Sequence, residues 1–180
     1  MLFKLNSNRT SKLFKPYLTV LLLLIVMGLT PLASAYTFTS YPITTPSLTP
    51  IELSSLEQSS LTLINRERAK YGISPLKADP YLNALAKKRA EEMLATKRIT
   101  HILPTLGSPW TSLKMYNISY RSASENLQYG ARSPYEAHLY LMNSWSHKTS
   151  ILRRDFNNVG IAILPIGNGG QLQVQLFVGR

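Results

Sequence analysis

The N-terminal segment most limits what this chain can fold into, because it has the three parts of a secretory signal. Four basic residues precede an apolar run over residues 17–29, and Ala33 and Ala35 supply the small side chains that signal peptidase accepts. The pattern predicts export with cleavage after Ala35, which removes residues 1–35 from the folded domain. The alternative is an uncleaved membrane anchor, because residues 17–35 are just long enough to cross a bilayer.

The composition of residues 36–180 limits how the exported part is stabilised and what it binds. This part holds sixteen of the twenty basic residues and all nine acidic ones, a net charge of +7, and the chain has no cysteine. Without disulfides, stability must come from an apolar core, which one domain of this length can bury. The charge suits anionic envelope polymers or lipid headgroups as partners, and it equally suits simple solubility. The basic residues are scattered without aromatic alternation, which argues against a nucleic-acid partner, and we expect a monomer.

Patterns along the chain predict helices first and strands last. Residues 36–52 are rich in Thr, Ser and Pro and predict an extended leader, so the folded domain is expected over residues 53–180. Helix signals follow near Leu56, where an apolar stripe begins, and at Asp79-Pro80, Ser108-Pro109 and Ser133-Pro134. Strand-like alternation covers residues 159–164 and 172–178, with a glycine-rich turn between them. This order predicts an α+β domain with helices packed on a sheet.

Few residues are available for chemistry in a chain without cysteine. His101 and His147 fall in loop-like stretches just beyond predicted helices, and Glu125 lies between them in sequence. Loop positions on a rigid scaffold often carry function. Ser144 precedes His147 by three residues, but this spacing does not establish a Ser-His-Asp triad, and no G-x-S-x-G motif is present.

The segments around these residues resemble the motifs of a known family. The motifs occur in the family's order at Leu63–Gly72, Thr100-His101, Ser124–Leu127, Asn143–Leu152, Asn158–Ala162 and Gln175–Phe177. Together they resemble the CAP superfamily (cysteine-rich secretory proteins, antigen 5 and pathogenesis-related proteins; the SCP domain), in its bacterial, cysteine-free branch. The resemblance implies an α-β-α sandwich, with a mainly antiparallel sheet and helices packed on both faces.

The resemblance also implies a site and shows where this chain departs from it. Three positions of the family's His-Glu-Glu-His tetrad are matched by His101, Glu125 and His147, while the second Glu is replaced by Ser144. The Pro-Gly that precedes the second histidine in the bacterial motif is Trp145-Ser146 here. Two imidazoles and a carboxylate can hold Zn²⁺ with a position open for water, so a divalent cation is one expectation. A hydrogen-bonded network that orders the loops of the cleft is the other.

Several functions follow from the resemblance as expectations, and none assigns a catalytic residue. The first is a secreted binding module, at the cell envelope or in the extracellular space, that uses the His/Glu cleft. The second is a metal-dependent hydrolase of peptides or wall fragments, and the third is lipid or sterol binding.

The resemblance gives other polar residues structural roles. Asn65 and Arg68 match the first helix motif and are interpreted as braces for packing, and Asn126 as an anchor for the loop around Glu125. His138 lies inside the helix that starts at Ser133-Pro134. We interpret it as a helix-face residue and not as a ligand.

Overall fold

The computed structural model describes residues 46–180. The predicted signal segment, its cleavage position at Ala35 and most of the predicted leader lie outside the described residues. Within residues 46–180 the elements follow one another as α1 (Ser55–Lys70), β1 (Lys77–Ala78), α2 (Pro80–Thr96), α3 (Pro109–Met115), β2 (Ser122–Tyr129), α4 (Pro134–Asn143), α5 (Trp145–Ile151), β3 (Asn158–Pro165) and β4 (Gln171–Gly179).

The strands form one mixed sheet in the order β1-β3-β4-β2. The short strand β1 pairs parallel to β3, whereas β3 with β4 and β2 with β4 are antiparallel. Strands β3 and β4 form the hairpin that the sequence predicted. The fold is therefore α+β, and β2 lies at an edge of the sheet.

Side-chain caps explain where the helices begin. Asp79 accepts hydrogen bonds from the backbone N–H groups of Tyr81 and Leu82, with Pro80 in the first turn. Ser108 and Ser133 each accept from the third residue beyond them, again with a proline in the first turn. Such caps satisfy backbone donors that have no partner inside the helix. The predicted helix starts at these three sites are confirmed.

Helices pack on both faces of the sheet. Alternate strand residues point to opposite faces, so each face carries apolar side chains that a helix layer buries. One core lies between the sheet and α2, and it contains Leu82, Leu85, Ala86, Met93, Val174, Leu176 and Val178. The other contains residues of α1, α4 and α5 against Phe156, Val159, Ile161 and Phe177. Strand β3 lies so close to α2 that a Cβ on Gly160 would be 2.2 Å from the backbone of Leu82. The expected α-β-α sandwich is confirmed.

Two buried polar side chains of α1 connect it to neighbouring loops. Asn65 exchanges two hydrogen bonds with the backbone of Leu76, of 3.0 and 2.8 Å. The Arg68 guanidinium is fully buried and donates to the carbonyls of Ser74, Ile151, Arg153 and Phe156. These bonds satisfy a guanidinium that would otherwise be costly to bury. The bracing role expected for both residues agrees with these contacts.

The last part of the predicted leader packs on the domain. Leu48 contacts the core beside α2. The Ile51 N–H donates to the carbonyl of Pro80 at 3.1 Å, and the Asn83 amide donates to the Ile51 carbonyl at 3.0 Å. Within residues 46–180, the packed part of the chain therefore begins at Leu48. None of the helices in residues 46–180 has the length and apolar character needed to span a membrane.

Three local expectations were wrong. Glu125 and Asn126 lie in strand β2, and His147 lies in helix α5, whereas the sequence placed them in loops. The residues of β2 have no β-branched side chain to signal a strand, and pairing with β4 supplies the extended conformation. On α1, Leu56 is exposed, and the buried stripe consists of Ser60, Leu61, Ile64 and Arg68.

Candidate functional site

The site is built at the edge strand β2, where neighbouring residues point to opposite layers of the sandwich. Glu125 faces the α2 layer, where it meets Arg89. Asn126 faces the other layer, where its amide donates to the His147 carbonyl at 3.1 Å and to Gln175 Oε1 at 3.3 Å. We call His101, Glu125, His147 and Ser144 the His–Glu site. Glu125 and Asn126, which are adjacent in one strand, therefore connect the part of the site that contains His101 with the part that contains His147.

Arg89 holds the carboxylate of Glu125. Both side chains are almost fully buried, and Arg89 lies on the same stripe of α2 as Leu85, Ala86 and Met93. Its Nε donates to Oε2 of Glu125 at 2.5 Å and its Nη2 to Oε1 at 3.2 Å. This bidentate pairing gives each buried charge its counter-ion, without which burial would be strongly unfavourable.

The remaining donors of Arg89 fix the chain around the site. Nη2 also donates to the backbone carbonyl of His101 at 2.9 Å. Nη1 donates to the carbonyl of Gly107 at 3.2 Å and to Ser112 Oγ at 2.6 Å. A guanidinium has five N–H groups, and these bonds engage all of them. Arg89 thereby connects α2, α3, β2 and the loop that carries His101.

The His101 ring lies against Glu125 and also meets solvent. Its Nδ1 is 2.8 Å from Glu125 Oε1, and its side chain is 53% exposed. A carboxylate paired with Arg89 can only accept, so Nδ1 of His101 carries the proton and donates. In a neutral ring, Nε2 is then the acceptor, and no residue of the described chain bonds to it. His101 therefore presents one ring nitrogen outward in a fixed orientation.

His147 is held differently, by a hydroxyl on its own helix. Its Nδ1 is 2.7 Å from Ser144 Oγ, and the ring is half-buried. Ser144 is the N-cap residue of α5, but its side chain caps no backbone N–H there. Burial, and then the charge of His101, lower the pKa of His147 below its usual range. The lowered pKa favours the neutral form of the His147 ring.

The structure brings the predicted residues to one sheet edge without making a three-ligand metal site. His101 contacts Glu125 directly, and His147 approaches through Asn126, but no hydrogen bond joins His147 to Glu125. Within residues 46–180, no three His, Asp or Glu side chains are arranged to hold a metal ion. Both oxygens of Glu125 are engaged by Arg89, so this carboxylate does not fit the role of a direct zinc ligand. Zinc binding itself stays a prediction.

Sequence reasoning missed Arg89. The available signal was its place in α2, because it falls at helical spacing among the apolar residues Leu82, Leu85 and Met93. A charged residue on a buried stripe is rare unless it is paired. The two motif residues Ser144 and His147 were found, but their mutual hydrogen bond depends on the start of α5, which the sequence did not predict.

His138 occupies a separate place in the fold. It is buried on α4, and its Nδ1 has no partner among the described residues. Burial lowers its pKa, while Glu67 raises it and Lys70 lowers it. It does not contact the His–Glu site, in agreement with its interpretation as a helix-face residue.

Comparison with known proteins identifies the family. The family model CAP, described as the cysteine-rich secretory protein family, matches residues 61–178. The chain belongs to the CAP family. The uncharacterized protein YkwD of Bacillus subtilis (strain 168) is 32% identical to this CAP protein over 136 residues, which are 76% of this chain and 52% of that relative. The chain thus spans about half the length of this curated relative.

Solved structures share the CAP fold. An outer surface protein from Borrelia burgdorferi superposes with a TM-score of 0.65 at 23% identity, covering 74% of this chain and 98% of that one. An extracellular SCP-domain protein from Bacillus anthracis str. Ames gives a TM-score of 0.63 at 21% identity, covering 69% of this chain and 40% of that one. At these identities the likeness establishes the fold alone.

Proposed function

We propose that this CAP protein is an exported binding module that acts at the cell envelope or in the extracellular space through the His–Glu site. The observation that carries the proposal is the engagement of Glu125, whose two oxygens both accept from Arg89 and one also from His101. A carboxylate held in this way is not free to take a proton from water or from a substrate. What the site offers a ligand is the outer nitrogen of His101 and the Ser144–His147 pair.

Hydrolysis is the weaker candidate for the same reason. The Ser144 hydroxyl does lie within hydrogen-bond distance of a neutral imidazole, as a nucleophile and its base would. However, a base of this kind is normally oriented by a third group, and within residues 46–180 no carboxylate contacts His147. Lipid or sterol binding has no observation of its own at this site.

Export is supported from two directions. Residues 1–35 have the pattern of a secretory signal, and both solved neighbours are named as extracellular or outer-surface proteins. We expect the culture medium to contain a species that begins at Tyr36, which N-terminal sequencing would detect. Recovery only in membranes, with the apolar run intact, would contradict export and favour the anchor.

Binding is tested with purified Bacillus subtilis cell walls, because YkwD comes from that organism. The wild-type protein should sediment with the walls, and a smaller fraction of the double variant His101→Ala/His147→Ala should sediment. The matched control is Thr62→Ala, which removes an exposed hydroxyl of α1 whose only hydrogen bond within residues 46–180 is to the carbonyl of Gln58. Equal sedimentation of the double variant and the wild type would refute binding through this site.

Hydrolysis and zinc are measured on the same proteins. Fluorescent casein and purified peptidoglycan, with and without added ZnCl₂, should show no turnover above the double variant. Turnover that requires His147 would replace the binding proposal with the hydrolase. Calorimetric titration with Zn²⁺ tests the metal expectation separately, because two imidazoles without Glu125 leave zinc short of the three protein ligands of a typical open site.

A further inference from the structure

Helix α5 has a second, outward face that the His–Glu site does not use. Trp145, Lys148, Thr149 and Leu152 follow the spacing i, i+3, i+4 and i+7, which places them on one side of the helix. Ser150 and Ile151 are buried on the other side, and His147 falls with them. The outward residues, together with Arg153, line an open groove of about 450 Å³. We call it the Trp145 groove.

Trp145 is the feature of this groove that folding does not explain. The residue is 82% exposed, so its indole stabilises no core and keeps a large apolar surface in water, which is unfavourable. It also occupies the position where the bacterial CAP motif has proline. A large exposed aromatic side chain at a concave surface is typical of a recognition site.

The charges around the groove are mostly positive. Lys148 lies 5.6 Å from the centre of the Tyr71 ring, and within residues 46–180 no carboxylate is at ion-pair distance from it. Arg154 also contacts the Tyr71 region, because its guanidinium donates to the carbonyls of Tyr71 and Gly72. Arg153 forms a bidentate pair with Asp155, at 2.6 and 3.1 Å, and both side chains are about half exposed, so its charge is partly compensated but still reaches solvent. Three cations against one carboxylate favour an anionic ligand.

The combination of an aromatic face and cations narrows the ligand further. The indole face is electronegative and therefore suits the weakly positive C–H face of a sugar ring. Lysine and arginine suit a carboxylate or phosphate carried on that ring. A bilayer would instead require a broad apolar face, and this groove has only Trp145 and Leu152 as large apolar residues. We propose that the Trp145 groove binds an anionic polysaccharide, with a sugar ring on Trp145 and an acidic group at Lys148 and Arg153.

The test measures binding of the full chain to polygalacturonate, a polymer that carries one carboxylate on each sugar ring. Biolayer interferometry at one fixed ionic strength should detect binding, with amylose as the uncharged ring control and polyphosphate as the ringless charge control. Both controls should bind at least about tenfold more weakly, because each lacks one of the two contacts. Equal binding of polyphosphate would refute the proposal by showing that charge alone is sufficient.

Variants locate the site. Trp145→Ala should weaken polygalacturonate binding about tenfold and Trp145→Phe should restore most of it, because the loss is that of one aromatic contact. Lys148→Gln should weaken it about threefold, as expected for one exposed charge contact. The matched control is Trp110→Ala, which removes the other exposed tryptophan and should leave binding unchanged. An unchanged Trp145→Ala protein, or no binding of polygalacturonate by the wild type, would refute the proposal.

Two further outcomes separate this proposal from its neighbours. Binding to phosphatidylglycerol vesicles that depends on Trp145, without binding to polygalacturonate, would overturn it in favour of a membrane surface. The proposed function is tested independently when cell-wall sedimentation is repeated with excess polygalacturonate, because the polymer occupies the Trp145 groove and leaves only binding that depends on His101 and His147. Loss of polygalacturonate binding in the His101→Ala/His147→Ala protein would show that the groove is not a separate site.

Discussion

The two histidines of the His–Glu site are held by opposite kinds of contact. His101 rests on Glu125, whose charge is matched by Arg89 in a buried and fully hydrogen-bonded cluster. His147 rests on Ser144, which immediately precedes a seven-residue helix that has no side-chain cap. The first half of the site is therefore part of what holds the domain together, whereas the His147 ring is held by one partly buried hydrogen bond to a nearby residue of the chain. We therefore expect the α5 half to change conformation more readily than the half that contains Glu125.

The largest expected effect comes from breaking the Arg89 cluster. Arg89→Met leaves the Glu125 carboxylate buried without its counter-ion and frees the loop of His101, so we expect a loss of about 3–5 kcal/mol in the free energy of unfolding. Urea denaturation measures the free energy of unfolding. The control is Arg98→Met, which changes an exposed arginine just beyond the end of α2. A loss below about 1 kcal/mol would show that the cluster is not structural.

Removing both charges together sharpens the same point. In Arg89→Met/Glu125→Leu no buried ion is left unpaired, and we expect the double variant to recover more than half of the stability that Arg89→Met loses. Urea denaturation midpoints of the single and the double variant, measured under the same conditions, show how much stability is recovered. Additive losses would mean that the hydrogen bonds to the loop, and not the charge pair, provide the stability.

Exchanging each histidine for alanine compares the two halves directly. His101→Ala removes a hydrogen bond to a carboxylate and should cost about 1–2 kcal/mol. His147→Ala frees the Ser144 hydroxyl to cap α5, a contact worth about 1 kcal/mol, which should offset the lost contact and leave the unfolding midpoint nearly unchanged. A larger loss of unfolding free energy in His147→Ala than in His101→Ala would show that the α5 half, and not the Glu125 half, stabilises the domain.

The smallest expected effect is the part of the pH dependence of stability that originates outside the His–Glu site, at His138. Burial lowers the pKa of His138, so below its usual value of about 6.5 the unfolded chain binds the proton more readily than the folded one. The contribution of His138 to stability is present above about pH 6.5 and is lost as the pH falls through the lowered pKa of the folded state. His138→Leu should flatten this decline, relative to the wild type, in unfolding midpoints measured between about pH 7 and 5. An unchanged slope would show that His138 does not cause it.

Local signals were sufficient where the chain caps its own helices. Asp79, Ser108 and Ser133, each followed by proline, predicted three helix starts, and alternation predicted the β3–β4 hairpin. Strand β2 could not be read in the same way, because its serines, Asn126 and Gln128 have no strand preference of their own. Its conformation depends on pairing with β4, which is distant in sequence.

The sequence by itself determined the motifs around His101, Glu125 and His147, the helix-first and hairpin-last order, and the absence of disulfides. Only the tertiary structure decided what these residues do to one another. It placed Arg89 on both oxygens of Glu125, Ser144 on His147, and Trp145 outward on the far side of α5. The physical reason is that a residue type and a spacing specify which contacts are possible along one element. The partner of a buried charge and the exposed face of a helix are set by packing between elements that are far apart in the chain.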